Sequence, residues 1–169
     1  MTTSFNLSKA ELRKILLKNW MTHDSLWYNE VADKFGMAEA SPMNLRVCRK
    51  LGQIELRRLM KMVNAQPPSN MDEYRQLFEL AKDTFVPEFI DFHIEYANNH
   101  TQVFQVKDCF AFRGMSKAGL ISEYECGIFE RIEGWFDAMG LKYERTPDLS
   151  HCLKFQGKEC AITVRFHFE

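Results

Sequence analysis

Four of the five cysteines, at positions 109, 126, 152 and 160, lie in the last third of the chain. They stand beside glycines, in Cys126-Gly127, Gly134, Gly157 and Cys160-Ala-Ile-Thr-Val, that punctuate a helix followed by a β-hairpin. Thiols at the ends of such elements can meet in space, where they hold a soft metal or act as nucleophiles. Cys126 stands at the expected start of a helix, a place that favours the thiolate. Cys152 and Cys160 flank the last expected turn, and His151 adds a nitrogen ligand. Cys109, Cys126, Cys152 and Cys160 are therefore the candidate metal set, for zinc or another transition metal. The spacing is not the tight CxxC pair of a zinc ribbon, and small buried cysteines filling a helix–sheet seam are the more common source of such a set. As catalytic groups, Cys126 or Cys109 would be the nucleophile with His151 or His93 as base. Cys48, within a helix, reads as core.

A second set lies on helices. His23, Trp27 and Glu30 fall at i, i+4 and i+7. Leu45, Cys48, Gly52, Glu55, Leu59 and Met62 form another stripe, which sets Glu55 among apolar neighbours. If the stripes face each other, His23, Trp27, Glu30 and Glu55 line a polar pocket able to bind a metal or to serve as acid and base. The competing reading pairs Glu55 with an arginine, with Arg46, Arg49 and Arg57 nearby. His93 shares a strand face with Asp91 and Glu95, which is solvated unless helices cover it. No Ser-His-Asp signature, phosphate-cradling glycine loop or HExxH is present.

The elements that must position these groups change period midway. Ser8 and Glu11 form a capping box for a first helix, and a second amphipathic segment runs from about residue 24 to Phe35, stopped by Gly36. A third helix spans roughly Ser41 to Val63, with Pro42 in its first turn. Asn70 and Glu73 cap a fourth helix that ends before Pro87. Beyond it Ile90, Phe92, Ile94 and Tyr96 alternate with polar residues as in a half-buried strand, which returns over 102–107. A helical stretch from 117 to 139, broken near Gly127, precedes strands over 141–144, 153–155 and 160–168. The class is α+β: an N-terminal bundle of three or four helices over 1–86, packed with a C-terminal antiparallel sheet and helix over 87–169 as one compact unit.

Lys and Arg number 22 against 23 Asp and Glu, so no basic excess points to nucleic acid. Fourteen Phe and nine Met suit a core with an apolar pocket, or a hydrophobic homodimer face. The N-terminus reads Met-Thr-Thr-Ser-Phe and then a charged helix, unlike a signal peptide, and no apolar run is long enough to span a membrane. A cytoplasmic location, with the cysteines reduced, is the expectation.

On Glu125-Cys126-Gly127, the helix through Gly134-Trp135, Glu144, Cys152, Gly157 and Cys160-Ala-Ile-Thr-Val, the segment from about residue 108 to 168 resembles the 4-vinyl reductase domain family. That family is related to the haem-NO-binding and vesicle-tethering ligand domains. The resemblance implies a small-molecule-binding, sensor-like module, some relatives having cysteines proposed to hold a metal. No histidine falls at a haem-ligating position, so haem is not expected. With Cys109 the same residues are also similar to bacterial proteins grouped with the aminothiazoline-carboxylate hydrolases, which implies as the alternative a cysteine-dependent hydrolase of a small cyclic C–N or C–S compound. The segments 20–30 and 52–60 resemble an uncharacterised bacterial family of this length.

Overall fold

A computed structural model describes residues 6–168 of the chain. The elements run α1 (Lys9–Phe35), α2 (Met37–Val63), α3 (Met71–Phe85), β1 (Asp91–Asn98), β2 (Thr101–Asp108), α4 (Phe110–Ala118), a 3-10 turn (Ile121–Glu123), α5 (Gly127–Ala138), β3 (Lys142–Thr146) and β4 (Ala161–His167). The fold is α+β, helices first and an antiparallel sheet with helices after.

Both expected caps form. Ser8 Oγ accepts the Glu11 amide while Glu11 Oε2 accepts the Ser8 amide at 2.8 Å. Asn70 Oδ1 accepts the Glu73 amide at 3.0 Å. The expected break between two N-terminal helices is absent: no Gly or Pro interrupts 9–35, so α1 is a single helix of 27 residues. Its stop at Gly36 is as expected, with the glycine at φ 82°, where other residues are strained. Met37-Ala38-Glu39-Ala40 are good helix formers, so α2 restarts at once and Pro42 lies inside it rather than in its first turn.

The sheet order is β1-β2-β4-β3, antiparallel throughout, with Phe104 opposite Ile162 and Tyr143 opposite Phe166. Phe92, Ile94 and Tyr96 turn one face of β1 inward while Asp91, His93 and Glu95 are exposed, as the alternation requires. Ile162, Val164 and Phe166 line the buried face of β4. The strand expected over 153–155 is instead a turn: Lys158 N–H donates to the Leu153 carbonyl at 2.9 Å. Leu153 is an isolated anchor in the core, and Cys152 and Cys160 lie on a long β3–β4 connection rather than at the ends of a hairpin.

One core joins both halves of the sequence, with Leu56, Tyr74 and Phe78 meeting Phe104, Trp135, Phe136 and Phe166. At its centre the Phe136 ring stands 5.1 Å from Phe166, and Tyr74 stands 4.4 Å from Phe166. The helix crossing that governs the site is α2 on α5. A Cβ on Gly52 would collide with the Arg131 carbonyl, and one on Gly134 with the Arg49 carbonyl. The two glycines let the backbones touch, which sets the side chains before and after them face to face. Among the described residues no helix is long and apolar enough to cross a membrane.

Candidate functional site

The close crossing of α2 and α5 opens a cavity of about 200 Å³ on its α1 side. α1 contributes Trp20, Asp24 and Tyr28, spaced by four and therefore on one face. α2 contributes Asn44 and Cys48, α5 contributes Ile128, Arg131 and Trp135, and α4 contributes Phe110 and Gly114. Phe92 of β1, Ile90 and Tyr124 close the rest. Most of the wall is aromatic or aliphatic, with a few polar groups set into it, the usual make-up of a small-molecule site. Gly114 leaves the cavity open, since a Cβ there would meet nothing within 4 Å.

Arg131 is held firmly at one side. Its guanidinium donates to both Glu55 oxygens, Nε at 2.8 Å and Nη2 at 2.5 Å, and stacks on Trp20 at 4.7 Å. Trp135 Nε1 donates to the same carboxylate at 3.1 Å. Glu55 is therefore an ion-paired group, with a partner on α5 rather than the nearby Arg46, Arg49 or Arg57. Arg49 belongs to another network, donating to Asp137 Oδ2 at 2.5 Å and Glu133 Oε2 at 2.6 Å, while Arg145 reaches Glu133 at 2.8 Å.

Asp24 is the one carboxylate among the described residues that line the cavity. It is half-buried, and among the described residues it makes no hydrogen bond or ion pair. Burial pushes its pKa up, against the pull of Arg131 and His23. Cys48 is half-buried on the cavity wall and not in the core. Burial, reinforced by the Asp24 charge, pushes its thiol up to about 12. Its Sγ donates weakly to Asn44 Oδ1 at 3.6 Å.

The residues singled out from the sequence fall elsewhere. His23, Trp27 and Glu30 are exposed, with Trp27 at 63%, and Trp27 Nε1 donates to His23 Nε2 at 3.2 Å. Their stripe points to solvent and does not meet Glu55; the face of α1 turned to the cavity is the one through Trp20, Asp24 and Tyr28. His93 is exposed on the outer face of β1, and His151 is exposed on the β3–β4 connection, within 3.4 Å of Ser150 Oγ. Among the described residues no cysteine hydrogen-bonds to a histidine.

Cys109, Cys126, Cys152 and Cys160 do share a neighbourhood. Burial comes first in raising the Cys126 thiol to about 12 and the Cys160 thiol to about 11, and each is raised further by its cysteine neighbours. Burial likewise raises Cys109, whose Sγ accepts the Phe112 amide at 3.5 Å as the cap of α4. The thiolate expected of Cys126 at a helix start is reversed, because desolvation outweighs the amides of α5. Among the described residues no three His, Cys, Asp or Glu side chains come together as a set of metal ligands.

An apolar pocket is expected from the composition, but none of the pocket residues singled out from the sequence lines this one. The signal available was the Trp20–Asp24–Tyr28 spacing, masked by the equally regular His23–Trp27–Glu30 stripe beside it. Against known families, one described as a family of unknown function (DUF6125) matches residues 5–138, a span that includes every residue lining the cavity. No curated protein matches the chain.

Proposed function

The chain belongs to the DUF6125 family of unknown function, and from the cavity between α1, α2, α4 and α5 we propose that it is a small-molecule-binding, sensor-like protein. The observation that carries this reading is an aromatic cavity of about 200 Å³ with a half-buried Asp24 facing it. A cavity of roughly 150 Å³ holds a benzene ring, so this one suits a single ring or fused pair with a short polar arm. The resemblance of 108–168 to small-molecule-binding modules supports the same class. The hydrolase alternative draws no support from the site, where the candidate nucleophiles Cys109 and Cys126 are held as neutral thiols and lack a histidine partner.

Isothermal titration with indole tests the proposal. Indole binds the wild type saturably at one site. Gly114→Trp, at a position where an added Cβ meets no neighbouring element within 4 Å, weakens binding about tenfold or more while the thermal melt is retained. Equal binding by a folded Gly114→Trp variant would place the ligand elsewhere and refute the reading.

A further inference from the structure

Resting on the cavity reading above, we propose that the ligand is an organic cation, a protonated amine on a compact apolar or aromatic body, with its ammonium group directed at Asp24. Asp24 lies between Trp20 and Tyr28 on the cavity face of α1, half-buried and, among the described residues, without a hydrogen bond or ion pair. A carboxylate withdrawn from water without a partner is costly, and an ammonium group supplies both the charge and the donors it lacks.

The charges around the cavity favour a cation over an anion. Arg131 is the one basic side chain among the described cavity residues, and both of its bonds to Glu55 are already made. Phe85 accepts a third, longer bond from it at 3.4 Å, and its guanidinium face is stacked on Trp20. Its charge is thus balanced at contact distance, whereas that of Asp24 is not. The side-chain amides of Asn29 and Asn44 line the same cavity and offer oxygen acceptors to the remaining N–H groups of an ammonium. Aromatic rings at Tyr28, Phe110 and Tyr124 line the cavity as well, and such rings suit a cation. Burial holds the Asp24 pKa above its ordinary value, as expected of a carboxylate waiting for such a counter-ion.

Three ligands of matched size separate the possibilities by calorimetry at pH 7: 2-phenylethylamine, 2-phenylethanol and phenylacetate. The wild type should bind the amine about tenfold or more tightly than the alcohol, and phenylacetate most weakly. Asp24→Asn should lower amine binding to the level of the alcohol, with a much smaller effect on the alcohol itself. Equal binding of amine and alcohol, or a preference that survives in Asp24→Asn, overturns the cation assignment and leaves the cavity reading standing. Tightest binding of phenylacetate overturns it in favour of Arg131 as the recognising group. Failure of all three ligands overturns both readings.

Discussion

Asp24 shows how a single side chain can be placed against stability. Its ordinary pKa of 3.8 applies in the unfolded chain, and burial raises it in the native state. Between those two values the native state holds more protons than the unfolded state, so stability falls as pH rises through the window, and the cost is fully present above it. Asp24→Asn is therefore expected to raise the melting temperature at pH 7, with the gain shrinking to nothing below about pH 3.8. Thermal melts across this range check it; a lower melting temperature at pH 7 would mean that the carboxylate has a stabilising partner. Only part of this scale is legible in sequence. That a glutamate among apolar residues pairs with an arginine follows from the stripe around Glu55, but the partner, Arg131, is 76 residues away and enters only through the α2–α5 crossing. For Cys126 the helix start is readable and the burial is not, and burial decides the protonation of the thiol.

Elements bring those residues together through two glycines. Gly52 and Gly134 stand where α2 and α5 touch, each facing the other helix's backbone. Gly134→Ala should cost about 2–3 kcal/mol, the upper part of the range for overpacking, because backbone rather than a movable side chain must give way. Urea denaturation measures this, and a neutral Gly134→Ala would show that the helices have room to separate. Caps and alternation were readable locally: Ser8 with Glu11, Asn70 with Glu73, and the two-residue period of β1 and β4 all point to the elements that form. Continuity was harder to read. The Asn, Thr and Asp residues of 19–24 are weak helix formers but not breakers, so tertiary packing carries α1 through them. Leu153 to Phe155 is too short a run for periodicity to separate a strand from a turn with one buried anchor.

In the whole molecule, the first three helices do not form a unit apart from the sheet. Tyr74 and Phe78 of α3 pack directly on Phe166 and Phe104, so the helical and the α+β parts share one aromatic core. The α+β class was legible because it rests on the change of period near residue 90. The lining of the cavity was not, because it arises from the relative placement of four helices and an edge strand that no local pattern encodes. It also competes with a second apolar surface: Leu12, Ile15 and Leu16 remain exposed along α1, at 48%, 43% and 58%. The measurement that separates them is a proton–nitrogen correlation spectrum of the protein titrated with indole. Saturable shifts are expected at the indole N–H groups of Trp20 and Trp135, the Asn44 side-chain amide and the Gly114 amide, with little change at Leu12, Ile15 and Leu16. Shifts confined to those three positions of α1, or none at the cavity, would contradict the assignment of this cavity as the binding site.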